Sequence, residues 1–138
     1  MKLSARNQLS GTIESIQKGA INSIVSLVVN GGTTKITSTI SNASVDDLEL
    51  SPGKKATAII KATEVLVGLG DLKLSARNQI DTTISAITEG AVNAQVSLQA
   101  SSATFTATIS LNAVKELDLK VGMEAKAVIK STSVMIGI

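Results

Sequence analysis

Apolar and polar residues alternate along most of the chain, the pattern that places successive side chains on opposite faces of a β-strand. The longest alternating run covers residues 21–29, and a matching run covers residues 92–98. The positions that share one face are Ile21, Ser23, Val25, Leu27 and Val29 in the first run, and Val92, Ala94, Val96 and Leu98 in the second. Both runs predict half-buried strands.

Further strands are predicted on either side of these runs. Residues 9–17 form a first strand, residues 36–40 follow the turn Asn30-Gly31-Gly32, residues 56–60 form a fourth strand, and residues 65–67 form a short last one. A glycine-rich turn between two alternating runs is typical of a β-hairpin. Residues 105–109 and 125–129 repeat the third and fourth strands.

Residues 44–48 and 113–117 depart from the alternation. Their apolar residues lie three apart, with acidic residues nearby, which predicts a short helix. Each half of the chain then has the order strand, strand, strand, short helix, strand, strand. That order predicts an all-β fold of two tandem OB-like five-stranded barrels, each with one short helix.

The two halves are copies of one module. The string KLSARNQ occurs at residues 2–8 and again at residues 73–79, and the correspondence continues to the end of the chain. It predicts one domain at residues 1–69 and a second at residues 70–138. Units of this size bury a modest core, so we expect oligomerisation to support them.

Composition excludes several kinds of chemistry. The 138 residues include one Phe and no Trp, Tyr, Cys or His. Disulfides, thiolate or imidazole metal sites and a Ser-His triad are therefore impossible. The net charge of +2 is too small to indicate a polyanion partner. No apolar stretch is long enough for a membrane span and the start lacks a secretory apolar region, so we expect a cytoplasmic location without membrane contact.

An enzyme is the least favoured class. The acidic residues fall at turns, in the helices or at exposed strand positions, where they are expected to be solvated. Among them, Asp47 and Glu116 are acidic at corresponding positions of the two copies, as are Glu49 and Asp118. No glycine-rich nucleotide-binding string is present. We therefore expect no catalytic residues, no cofactor and no metal cation.

The polar residues that do recur suit a small oxyanion. Hydroxyl, guanidinium and ammonium groups recur in both copies, and no carboxylate recurs beside them: Ser4, Arg6, Asn7, Ser41 and Lys61, then Ser75, Arg77, Asn78, Ser110 and Lys130. Cations balance an oxyanion's charge while hydroxyl and amide donors bind its oxygens. Simpler roles remain open, because the two helix-start serines suit N-caps, and the lysines and arginines suit solvated ends or ion pairs.

At KLSARNQ the sequence resembles the molbindin (Mop) family, whose domains are TOBE-type OB-like barrels. Further motifs are G-A-[IV]-N before the second strand, T-I-S before the helix and [IV]-I-K late in each copy. The resemblance covers the whole chain as a tandem di-Mop arrangement. It implies binding of molybdate, and of tungstate, for cytoplasmic storage or homeostasis. It also implies six Mop domains per assembly, hence a homotrimer, with anions between domains.

The resemblance also implies which residues bind. The interfacial molybdate sites would use Ser4, Ala5, Arg6, Ser41 and Lys61, and in the second copy Ser75, Ala76, Arg77, Ser110, Lys130 and Ser131. Ala62 stands where the second copy has Ser131, which leaves the equality of the two sites open. A second anion site near the threefold axis has weaker candidates: Gly19, Ala20, Ile21 and Asn22, with Gly90, Ala91, Val92 and Asn93.

Two other functions compete with storage. Many OB-like barrels bind single-stranded nucleic acid, but they do so with aromatic stacking platforms and a basic groove. One Phe and a net charge of +2 argue strongly against that function. A regulatory module that reports anion occupancy to a partner protein is the stronger alternative, because TOBE domains serve that purpose in larger proteins.

Overall fold

A computed structural model of the protein describes residues 2–138. Ten strands and two short helices follow one another in the order predicted for a duplicated module. The first repeat contains β1 (Asn7–Lys18), β2 (Asn22–Val29), β3 (Lys35–Ser41), α1 (Asn42–Asp47), β4 (Lys55–Ile60) and β5 (Leu66–Gly68). The second contains β6 (Asn78–Glu89), β7 (Asn93–Gln99), β8 (Thr104–Ser110), α2 (Leu111–Glu116), β9 (Glu124–Ile129) and β10 (Met135–Gly137).

These strands form two five-stranded antiparallel sheets, each accompanied by one helix, so the predicted fold class is confirmed. Single-turn 3-10 helices at Ala62–Glu64 and Ser131–Ser133 follow β4 and β9, and the alternation did not predict them. The long strands β1 and β6 each contain a register shift, at Ile13/Ser15 and at Ile84/Ala86. Such bulges bend a strand and increase its twist, which lets one strand serve both sides of a barrel.

The repeats exchange their last strands. The first sheet has the order β10-β4-β1-β2-β3 and the second has the order β5-β9-β6-β7-β8. Met135 lies opposite Ile59, and Leu66 lies opposite Val128. Each repeat therefore completes the other's sheet. The division at residues 69 and 70 stays a prediction about the repeated sequence, since neither sheet is built from one repeat alone.

The apolar positions of the strands form one continuous core that includes residues of both repeats. Val25, Leu27, Val29 and Ile36 of the first repeat are fully buried, as is Phe105 of the second. Their period of two explains this burial, because alternate side chains of each strand face the core. Removal of this apolar surface from water is the main favourable contribution to folding.

The strand faces predicted to begin at Ile21 and Val92 are wrong at these first residues. Ile21 and Val92 are 76% and 73% exposed, whereas the residues that follow them in the alternation are buried. The strands begin one residue later, at Asn22 and Asn93, because a tight turn precedes them. The turn places both apolar side chains outside the sheet.

The strand exchange makes the last residues of the chain important for the first sheet. Ile136 is partly buried against the core and lies opposite Ala58. We expect Ile136→Asp to lower the free energy of unfolding by at least about 2 kcal/mol, because it removes apolar burial and brings a charge to the core edge. Ile138→Asp is the matched control, since Ile138 is 60% exposed. Urea denaturation that shows equal midpoints for the two variants would contradict the burial of Ile136 against the core.

Candidate functional site

Asn7 of the repeated string joins the two repeats. Its side chain is 2% exposed, and its amide donates to the carbonyl of Thr106 in β8 at 2.9 Å while its carbonyl accepts from the Thr106 N–H at 2.7 Å. Asn78 makes the same pair of bonds with Thr37 in β3, both at 2.8 Å. An amide side chain thus pairs with the other repeat as a strand would. The presence of asparagine at this position in both copies therefore has a structural reason.

Gln8 shapes the loop that precedes β1. Its side-chain amide donates to the carbonyls of Leu3 and Ala5, at 3.2 and 3.0 Å. Gln79 makes the equivalent bonds to Leu74 and Ala76, at 3.1 and 2.9 Å. These bonds hold residues 3–5 and 74–76 in a fixed bend. In the first copy, Ser4, Ala5 and Arg6 line a cavity.

That cavity lies where the first repeat meets the second and has a volume of about 430 Å³. We call it the junction cavity. Its walls come from the loop before β1, the end of β4 with its 3-10 turn, and strands of the second repeat. The lining residues are Leu3, Ser4, Ala5 and Arg6, then Ile59, Lys61, Ala62 and Thr63, and finally Gln95, Thr108 and Met135.

The junction cavity combines cations and hydroxyl groups without a carboxylate. Within residues 2–138, each ion pair of the structure involves a lysine other than Lys61, so Arg6 and Lys61 have no acidic partner. Ser4, Arg6 and Lys61 are exposed, so the cavity is open on one side. Two uncompensated cations beside hydroxyl donors favour an anion. The simpler expectation that Arg6 pairs with a nearby acid is not met in the described residues.

Ser41 and Ser110 are helix N-caps, as the simpler alternative supposed. The Ser41 hydroxyl accepts from the Ser44 N–H at 3.1 Å, and the Ser110 hydroxyl accepts from the Ala113 N–H at 3.1 Å. Neither serine is among the described residues that line the junction cavity. The Ser41 hydroxyl also shares a hydrogen bond with the Ser44 hydroxyl at 2.9 Å, whereas Ser110 has Ala113 at that position and keeps its own proton to donate. Contact between these serines and an anion stays a prediction.

The strand exchange also changes which residues meet. The 3-10 turn that follows Lys61 packs against β8 of the second repeat. The turn after Lys130 packs against β3, where the Ser131 and Thr39 hydroxyls lie 2.7 Å apart. The predicted set joined Ser4, Arg6 and Lys61 to Ser41 of the same repeat, whereas the structure brings these three residues beside Thr108 in the helix-start strand of the other repeat.

The predicted second anion site consists of turns. The Gly19 N–H donates to the Asn22 carbonyl at 2.8 Å, and the Gly90 N–H donates to the Asn93 carbonyl at 2.8 Å. A Cβ at Gly19 would lie 2.7 Å from the Asn22 carbonyl oxygen, so the close turn itself requires glycine. These turns explain the repeated G-A-[IV]-N motif structurally. Their role toward an anion stays a prediction.

Sequence reasoning did not single out Gln95, Thr108 or Thr63, which line the junction cavity. Thr108 begins the T-I-S motif, so alternation with Ser110 on the same face could have identified it. Gln95 corresponds to Ile24 in the first repeat, so a comparison of the copies offered no signal.

A second cavity, of about 550 Å³, lies in the second repeat and has charges of both signs. Lys126 forms an ion pair with Asp81 there, and Asp71 and Glu124 also line the walls. The hydrogen bond to Asp81 raises the pKa of Lys126, and desolvation partly offsets this effect. The part of the chain that the structure describes has no group of His, Cys, Asp or Glu side chains suited to a metal ion.

The family model for the TOBE domain matches the chain twice, at residues 3–67 and at residues 74–136. The chain therefore belongs to the TOBE domain family and consists of two tandem TOBE domains. The predicted resemblance to tandem Mop domains is confirmed.

A solved structure of the cytoplasmic molybdate-binding protein ModG, with molybdate bound, superposes on the whole chain with a TM-score of 0.94 and 38% identity, and the match covers 99% of that structure. The chain is also similar to the molybdenum transport protein ModE of Herbaspirillum seropedicae, at 36% identity over 141 residues. That match covers the whole chain but 52% of the relative, so the chain spans about half the length of this protein.

A probable molybdenum-pterin-binding protein of Haemophilus influenzae matches 50% of the chain, at 52% identity over 69 residues and 99% of its own length. The relative thus corresponds in length to one repeat. Among the helices that the structure describes, none has the length and apolar character needed to cross a membrane.

Proposed function

We propose that this protein binds molybdate in the cytoplasm and stores or buffers it without catalysis. The observation that carries the proposal is the junction cavity, where Arg6 and Lys61 lie beside hydroxyl groups and have no acidic partner in the described residues. The similarity to ModG, a cytoplasmic molybdate-binding protein, over the whole chain supports the ligand and the location.

The donor set suits a fully deprotonated oxyanion. Molybdate is a dianion at neutral pH and accepts hydrogen bonds at all four oxygens. Hydrogen phosphate carries a proton that needs an acceptor, and with no carboxylate in the cavity only neutral acceptors, the hydroxyl oxygens and the Gln95 amide oxygen, are left for it. Tungstate has the same charge and shape as molybdate, and we expect the cavity to bind it as well. Sulfate also has no proton, so its exclusion depends on cavity size.

The site becomes complete in an oligomer, for which we propose a homotrimer of six domains. Arg6 and Lys61 are exposed in the single chain. Apolar residues beside the cavity are also half exposed, Leu3 at 50% and Met135 at 49%, and their counterparts Leu74 and Leu66 are 49% and 56% exposed. A neighbouring protomer would cover this apolar rim and exclude water from the bound anion. Exclusion of water strengthens the hydrogen bonds to a charged ligand.

Equilibrium dialysis against molybdate tests the proposal. We expect saturable binding at micromolar or lower concentration, competition by tungstate and little competition by phosphate. Elemental analysis of the purified protein together with its mass in solution should show molybdenum in a trimer. Folded protein that leaves micromolar molybdate unbound would contradict the function, whereas a molybdate-binding monomer would contradict the proposed assembly alone.

A further inference from the structure

The two repeats present different groups at corresponding positions of their anion sites. Gln95 in β7 lies opposite Thr108 in β8, and both line the junction cavity. The corresponding residues of the first repeat are Ile24 in β2 and Thr39 in β3, which lie opposite each other in the same register. Residues directly opposite on neighbouring antiparallel strands point to the same face. An amide in one site thus replaces an alkyl group in the other.

The hydroxyl of the shared threonine also has a different environment. Thr39 lies 2.7 Å from the hydroxyl of Ser131, so one of these two protons is used between them. The corresponding partner of Thr108 is Ala62, which has no hydroxyl, and Thr108 makes no side-chain hydrogen bond within residues 2–138. The Thr108 proton is therefore available to a ligand.

The difference can be counted in donors. A glutamine amide has two N–H groups and a threonine hydroxyl has one O–H, so Gln95 and Thr108 offer three donors in the junction cavity. The Thr39 and Ser131 pair keeps one free O–H, and Ile24 has none, so the corresponding site offers one. The loop residues and cations are alike in the two sites: Ser4, Ala5, Arg6 and Lys61 correspond to Ser75, Ala76, Arg77 and Lys130.

We propose that Gln95 makes the two anion sites unequal, so that the junction cavity binds its oxyanion more tightly than the corresponding site of the other repeat. This inference rests on the proposed function. Hydrogen bonds to a charged group are stronger than those between neutral groups, and loss of one corresponds to about a tenfold or larger rise in Kd. The Gln95 amide can donate to the dianion because this side chain is exposed and free to turn toward it.

Reciprocal exchange of the two residues tests the inference. Calorimetric titration of the intact protein with molybdate should show two classes of interfacial site that differ by about tenfold or more in Kd. Gln95→Ile should convert the tighter class to the weaker one, and Ile24→Gln should tighten the weaker class. Either change on its own should therefore make the two interfacial sites equal in affinity. Gln99→Ile, on the same strand but outside the junction cavity, should leave both classes as in the unaltered protein.

The outcomes separate the inference from the proposed function. Two classes that persist unchanged in Gln95→Ile and in Ile24→Gln would overturn the role of Gln95 while molybdate binding stands. A single class in the unaltered protein would overturn the inequality of the sites. Absence of binding to the folded protein would overturn both proposals. Because Gln95 is exposed, we expect its replacement to leave the protein folded, and circular dichroism checks this.

Discussion

Replacement of Asn7 by alanine is expected to lower the free energy of unfolding by about 3 kcal/mol, because buried groups lose their partners. The Asn7 side chain makes three hydrogen bonds, two with Thr106 and one with the Ile60 carbonyl at 3.2 Å. Water replaces them poorly at a position that is 2% exposed. The Thr106 N–H and carbonyl then lie unpaired at the contact between the repeats. Urea denaturation followed by circular dichroism measures the change.

Asn22→Ala is the matched control for this prediction. Asn22 is exposed, so we expect its replacement to change the stability by less than about 0.5 kcal/mol. Asn78→Ala should be destabilising like Asn7→Ala, because Asn78 pairs with Thr37 at the equivalent contact. Equal midpoints for Asn7→Ala and Asn22→Ala would show that the buried asparagine contributes nothing to the contact.

Removal of both cations from the junction cavity should weaken molybdate binding there by about a hundredfold or more. We expect about a tenfold loss for Arg6→Ala and for Lys61→Ala singly, since each removes a charged donor. Both side chains are exposed and have no acidic partner in the described residues, so stability should change by less than about 0.5 kcal/mol. Titration with molybdate and thermal unfolding of the same samples measure the two effects.

Lys55→Ala is the control for charge. Lys55 is an exposed residue at the start of β4, outside the set that lines the junction cavity, and its loss changes the net charge as much as the loss of Lys61. We expect it to leave the affinity for molybdate close to that of the unaltered protein. An equal loss in Lys55→Ala and Lys61→Ala would show that the anion responds to overall charge and that the cavity is not its site.

Most of the strands could be predicted from the alternation, because burial of one face of a strand requires a period of two. The exception at Ile21 and Val92 follows from the same physics, since alternation cannot tell the last turn residue from the first strand residue. The string SARNQ indicated an anion site, but Asn7 and Gln8 are explained by hydrogen bonds within the protein. Identical residues in two copies of a module can have a structural cause as well as a binding cause, and the string contains residues of the structural kind.

By itself the sequence determined the duplicated module, the all-β class, the absence of thiol and imidazole chemistry, and the cationic and hydroxyl groups of each repeat. All of these depend on residue type and local spacing. Only the tertiary structure decided that β5 and β10 change sheets. In a duplicated chain either pairing offers a strand nearly the same partners, so the sequence scarcely distinguishes them. The meeting of Arg6 and Lys61 with Gln95 and Thr108 depends on that exchange, because it brings residues far apart in the chain to one cavity.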